Sequence, residues 1–158
     1  MHTNDIQFES IYQEIVTLLE SDAENSEKLS GICDILHTKI PHYDWVGFYL
    51  TDSEKDGELV LGPYVGEATD HVRIPFGKGI CGQAAERKET FIIQDVSKET
   101  NYLSCSPVVK SEIVAPILKD GVVLGELDID SHQLSPFTSA DQAFIEGICE
   151  LLTEIVFE

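Results

Sequence analysis

The chain has 158 residues, a length that fits one domain over 1–158 with a core of its own, and no repeat, low-complexity run or Pro/Gly-rich linker divides it. Its 10 Lys+Arg against 29 Asp+Glu leave a net charge of −19, which argues against nucleic acid and anionic membrane surfaces, because both demand a basic face. No apolar stretch reaches the roughly 18–20 residues of a membrane span, and the opening MHTNDIQFES lacks the basic-then-apolar pattern of a secretory leader.

Phe8, Ile11, Tyr12, Ile15, Leu18 and Leu19 recur at helical spacing and predict a first helix. A second starts near Asn25-Ser26, carries Leu29, Ile32, Cys33, Leu36 and Ile40 on one stripe, and stops at Pro41. Short strands follow at 43–50, 58–61, 71–76, 90–96, 112–118 and 122–130, with a short helix over about 80–88 after the third. A last helix runs from 139 or 140 to 156, with Ile145, Ile148, Cys149, Leu152 and Ile155 on its apolar side. Short strands enclosed by helices at both ends predict an α+β fold, an antiparallel sheet with the terminal helices on one face and a pocket on the other. Cys33 and Cys149 fall inside apolar stripes and read as buried small hydrophobes. Four cysteines so scattered do not make a disulfide scaffold, and the expected setting is a reducing cytoplasm.

Strand alternation sorts the side chains by face. In the first strand Val46, Phe48 and Leu50 point one way and Trp45, Gly47 and Tyr49 the other, with Gly47 leaving a gap between two aromatic rings. Around Lys119-Asp120-Gly121, a two-residue turn would pair Lys119 with Val122 and set Ile113 opposite Asp128. A three-residue turn with Gly121 left-handed pairs Leu118 with Val122 and sets Glu112 opposite Asp128. The second register puts Ile113, Ala115 and Ile117 on one face with Val123, Leu127 and Ile129, separates them from the acids, and is the expected one. Glu112, Glu126, Asp128 and Asp130 then crowd one face, where at least one carboxyl must resist ionisation. Such a cluster suits a ligand ammonium, a metal or a neutral acid, or it is a solvated acidic surface.

Three constellations compete for chemistry. Gly77-Lys78-Gly79-Ile80-Cys81-Gly82 matches G-x-G-x-x-G with Asp95 beyond it, but the preceding strand alternates and contains Pro75, unlike the buried parallel strand of a dinucleotide fold. The glycines fit a tight strand-to-helix passage better. No C-x-x-C or H-x-x-x-H spacing supports a metal, and no metal or other cofactor is expected. Cys105 lies in the polar loop Asn101-Tyr102-Leu103-Ser104-Cys105-Ser106-Pro107, where an exposed thiol can ionise. Cys81, at the start of the short helix, reads either as a thiol activated by the helix dipole or as a packing thiol.

Several runs resemble those of the free methionine-(R)-sulfoxide reductases, a family of single GAF domains. They are Asp44-Trp45-Val46-Gly47-Phe48-Tyr49, the stretch VRIPFGKGICG from Val72 to Gly82, Ser111-Glu112-Ile113-Val114, and GELDIDS from Gly125 to Ser131. The resemblance implies a six-stranded antiparallel sheet with helices packed on one face. It also implies reduction of free methionine-(R)-sulfoxide by Cys105 as nucleophile, with a resolving thiol, Cys81 among the candidates, and thioredoxin or another external thiol as reductant. Trp45 and Tyr49 match the aromatic walls of the substrate pocket, and Glu112, Asp128 and Asp130 match the carboxylates that hold the substrate ammonium and assist sulfoxide protonation.

One loop and two positions depart from the family pattern, the loop being Asn101-Tyr102-Leu103-Ser104 in place of a Gly-His-Ile-Ala-like run before Cys105. His71 stands where the usual main resolving cysteine would be, and Ser106 follows Cys105 where aspartate is typical. A non-catalytic module binding methionine sulfoxide or another small ligand, and a thiol-based sensor, are therefore the alternatives to an enzyme. Pairing into a homodimer through the terminal helices is left open by the sequence.

Overall fold

The apolar stripes read from the sequence become three of the helices seen in the computed structural model, which describes residues 3–103 and 106–157. These are α1 (Thr3–Leu19), α2 (Asn25–Lys39) and, at the end of the chain, α4 (Ser139–Ile155). Between them lie β1 (Trp45–Thr51), β2 (Glu58–Val65), β3 (Arg73–Pro75), α3 (Gly79–Arg87), β4 (Phe91–Ile93), β5 (Ser111–Lys119) and β6 (Val122–Ser131). The strands form one six-stranded sheet in the order β3-β2-β1-β6-β5-β4, with every neighbouring pair antiparallel. This is the expected α+β architecture. Among the described residues no helix is long and apolar enough to cross a membrane.

The sheet separates two apolar clusters. Phe48, Ile113, Ile117, Leu127 and Ile129 face α1, α2 and α4 and form the main core with Cys33 and Cys149, both buried. On the opposite face Trp45, Tyr49, Leu59 and Val114 pack under α3 through Ile80, Cys81, Ala84 and Ala85. α4 is fixed at its start by a capping box between Thr138 and Asp141. The Tyr43 hydroxyl donates to Asp141 Oδ1 at 2.6 Å and so ties the entrance of β1 to that helix.

The β5–β6 hairpin departs from the expected register. Its turn has two residues, Asp120 (φ 53°) and Gly121 (φ 78°), and pairs Lys119 with Val122. That double left-handed geometry matches the twist of the flanking strands, which is why two-residue hairpins favour Asp-Gly. The partner of β5 then jumps from Val123 opposite Leu118 to Gly125 opposite Ile117, so Leu124 is an extra residue in β6. The bulge reverses the alternation once, and Glu112 faces Asp130, not Asp128. Leu127 and Ile129 stay on the core face as expected, whereas Val123, before the bulge, packs on the α3 side.

The G-x-G-x-x-G run joins β3 to α3, and β3 is an antiparallel edge strand, not the parallel strand of a dinucleotide fold. A Cβ on Gly82 would lie 2.6 Å from the Pro75 carbonyl oxygen, so the helix can approach the strand this closely only with glycine there. Asp95, the acid such a motif would need, caps the 3₁₀ turn Val96–Lys98 by accepting from the Ser97 N–H at 3.0 Å.

Candidate active site

The face of the sheet under α3 gathers the acids and aromatics by register. On β1, Trp45, Gly47 and Tyr49 lie opposite Asp130, Asp128 and Glu126 of β6. On the other side of β6, Glu112, Val114 and Pro116 of β5 face the same three acids. Tyr49 is 1% exposed, Asp128 and Asp130 are each 2% exposed, and Glu126 is completely buried. The acidic side chains are therefore not a solvated surface.

No open slot separates the two rings. A Cβ on Gly47 would sit 2.4 Å from the Trp45 ring, so the indole lies across the glycine, 6.4 Å from the Tyr49 ring centroid. Tyr64 stacks behind it at 5.4 Å. The indole N–H donates to the Glu67 carbonyl at 2.9 Å and the Tyr49 hydroxyl to the His71 carbonyl at 2.8 Å. Both polar tips are thus committed, and the aromatics offer flat apolar walls.

Two adjoining recesses open on this face. One is lined by Tyr49, His71, Lys78, Cys81, Leu103, Glu112 and Asp128, the other by Asp44, Trp45, Glu67, Ser106, Asp130 and His132. The expected substrate set is thus divided, Tyr49 with Glu112 and Asp128, Trp45 with Asp130. A wider groove beside Thr90, Pro116, Gln142 and Glu146 is an open trough along α4, and none of Glu112, Glu126, Asp128 and Asp130 lines it. Cys105 and its neighbour Ser104 lie outside the described residues. Leu103 and Ser106, which flank them in sequence, each line one of the two recesses.

Sequence reasoning missed the clamp that holds this loop. Asn101 Oδ1 accepts from the Gly79 N–H at 2.8 Å, and its Nδ2 donates to the Gly77 carbonyl at 2.7 Å. Gln83 Nε2 adds a bond to the Asn101 carbonyl at 3.0 Å. An asparagine in a polar loop carries no periodic signal, so only the fold reveals that it binds the start of α3. Lys78 was likewise not foreseen as a lining residue, whereas His71, at the position of the usual resolving cysteine, does line the recess.

Electrostatics follow from the burial. Loss of solvation pushes the Glu126, Asp128 and Asp130 carboxyls up, and for Glu126 and Asp130 the Asp128 charge adds to the shift. Glu112 hydrogen-bonds to both Asp128 and Asp130, a contact two carboxyl groups can make only when one carries a proton. Both oxygens of Glu126, Asp128 Oδ1 and Asp130 Oδ1 are buried with no hydrogen-bond partner among the described residues. Buried acceptors left this way cost free energy that a cationic donor would recover.

Cys81 is not the dipole-activated thiol that its place in the first turn of α3 suggested. Its Sγ lies 3.3 Å from Asp128 Oδ2 and 3.9 Å from Glu112 Oε2. Burial, then the charges of Asp128, Glu126 and Glu112, push the thiol well above its ordinary value. A helix N-terminus is worth only about 0.3–1 kcal/mol and does not offset that. Cys81, Glu112 and Asp128 also bring three potential metal-donor atoms within 4.8 Å of one another, the one such group among the described residues.

Comparison with known proteins gives consistent matches. The GAF domain model fits residues 26–155. The chain is 37% identical to GAF domain-containing protein A of Dictyostelium discoideum, over 92% of this chain and 90% of that protein. It is 35% identical to the free methionine-R-sulfoxide reductase of Escherichia coli, over 80% of this chain and 73% of the relative. Among solved structures, the free methionine-R-sulfoxide reductase of Neisseria meningitidis in complex with its substrate superposes with a TM-score of 0.90 at 30% identity, covering 98% of this chain and 90% of that one.

Proposed function

The chain belongs to the GAF-domain family and, within it, to the free methionine-R-sulfoxide reductases, and from that premise we propose that it reduces free methionine-(R)-sulfoxide to methionine with Cys105 as nucleophile. The observation that carries the reading is the pair of buried, unpartnered oxygens on Asp128 and Asp130 beside Glu112 and the aromatic walls. A free amino acid supplies what these groups lack, an ammonium with three donors, and its thioether arm is apolar enough for Trp45 and Tyr49.

The chain supplies the nucleophile and the acid, and an external dithiol supplies the two electrons. The Cys105 sulfur attacks the sulfoxide sulfur while a carboxyl group held neutral by its neighbours protonates the departing oxygen. The substrate S–O bond breaks as its oxygen passes to the Cys105 sulfur, the transient S–S bond then breaks with its electron pair left on the substrate, methionine leaves two electrons richer, and Cys105 becomes a sulfenic acid. Cys81 then attacks that sulfur and releases water, and a dithiol such as thioredoxin reduces the resulting disulfide. Cys81 is the candidate resolving thiol because Cys33 and Cys149 lie in the core cluster on the far side of the sheet. Its proton has an acceptor in Asp128 Oδ2 at 3.3 Å. Direct reduction of the sulfenic acid by an external thiol is the other route, favoured by His71 at the position where the family carries its usual resolving cysteine.

The test is product formation from each epimer with dithiothreitol as reductant. The (R) epimer should be converted to methionine and the (S) epimer scarcely at all. Equal rates for the two would contradict selectivity for the (R) epimer, and binding of the (R) epimer without any product would replace the reductase by a ligand-binding module.

A further inference from the structure

The structure assigns a divalent-metal site to Cys81 of α3, Glu112 of β5 and Asp128 of β6, one that takes a borderline ion of the zinc type when no substrate occupies the recess. Zinc bound by one thiolate and carboxylates has Zn–S near 2.3 Å and Zn–O near 2.0 Å, which at a tetrahedral angle separates S from O by roughly 3.5 Å. The Cys81 sulfur lies 3.3 Å from Asp128 Oδ2 and 3.9 Å from Glu112 Oε2, on either side of that distance. Both sulfur–oxygen separations are within a few tenths of an ångström of that value, and all three donor atoms lie within 4.8 Å of one another.

A second observation is independent of those distances. Asp128 Oδ1 and both oxygens of Glu126 are buried and lack partners among the described residues. Glu126 is close enough to Cys81 and Asp128 to shift the thiol and be shifted by the carboxylate. An ion seated on the three ligands would relieve the repulsion among these groups without demanding a new residue. The mixed sulfur and oxygen donors select against calcium and magnesium, which take oxygen ligands alone. On binding, the Cys81 S–H bond breaks, its proton and the one held between Glu112 and Asp128 pass to solvent, and lone pairs of the sulfur and of both carboxylates form the metal bonds; no electron is transferred. The fourth position points to the recess lined by Tyr49, His71 and Lys78, where water completes the shell. The linear sequence hid this group because its ligands come from three elements with no characteristic spacing.

The site stands or falls apart from the reductase reading, since the same side chains can hold a metal whether or not turnover occurs. The probe is cobalt(II) added to reduced, metal-free Cys105→Ser protein, so that the loop thiol does not contribute. We expect one equivalent to produce a thiolate-to-cobalt absorption in the near ultraviolet with the visible bands of a four-coordinate ion, displaced by zinc. Adding Cys81→Ser should remove the near-ultraviolet band, and Asp128→Asn should weaken binding at least tenfold, with circular dichroism verifying that both variants fold. No thiolate band in the parent, a band that survives Cys81→Ser, or unchanged affinity in Asp128→Asn would each overturn the assignment.

Discussion

Asparagine at position 130 should weaken binding of free methionine-(R)-sulfoxide by roughly 10–150-fold, the ~1.5–3 kcal/mol of a hydrogen bond to a charged group. The same change should make the ligand-free protein more stable near pH 8. Asp130 is buried, its Oδ1 has no partner among the described residues, and burial followed by the Asp128 charge raises its carboxyl. The folded state therefore keeps a proton that the unfolded chain releases at ordinary carboxylate pH. With more protons bound when folded, stability falls as pH rises from the unfolded value through the folded one. Asparagine carries no such penalty, so its advantage over wild type should vanish at low pH and grow above the ordinary carboxylate range. At about 2–4 °C per kcal/mol for a chain of this size, thermal melts at pH 4 and pH 8 resolve the effect. A melting temperature that falls in the variant at pH 8 would mean that the aspartate stabilises the fold and has no need of a ligand.

The second large effect concerns Cys105. Serine cannot accept the sulfoxide oxygen as a sulfenic acid, so Cys105→Ser should reduce methionine formation to the uncatalysed background. Substrate should still raise the melting temperature of this variant, because the carboxylates and aromatic walls are intact. Cys81→Ser should behave differently, releasing methionine in a single turnover with no reductant but failing to sustain thioredoxin-linked turnover. If instead Cys81→Ser abolishes the single turnover while Cys105→Ser retains it, the two thiols have exchanged roles.

Much of the site could be read from the alternation of GELDIDS and DWVGFY, because burial of one sheet face forces apolar residues inward and leaves Glu112, Asp128 and Asp130 together on the other. The turn that sets their register could not. A three-residue turn and a two-residue turn followed by a bulge both reverse the alternation once, so the same pattern fits either, and they differ by two positions in what faces Glu112. The preference of Asp120-Gly121 for a two-residue turn was the signal that distinguishes them. Cys81 shows a different limit. Its place at the start of α3 argued for an activated thiol, but solvation depends on what packs over the helix, and here the partners are Asp128 and Glu112 from strands more than thirty residues away in sequence. The Trp45 ring over Gly47 was equally hidden, since alternation assigns a face and not a rotamer.

Selection for a free amino group by buried acids is best tested by comparing kcat/KM for methionine-(R)-sulfoxide with that for its N-acetyl derivative. Acetylation deletes the ammonium and leaves the sulfoxide unchanged, so the N-acetyl compound should be turned over at least a hundredfold less efficiently. Equal efficiency for the two would contradict the role given to Glu112, Asp128 and Asp130.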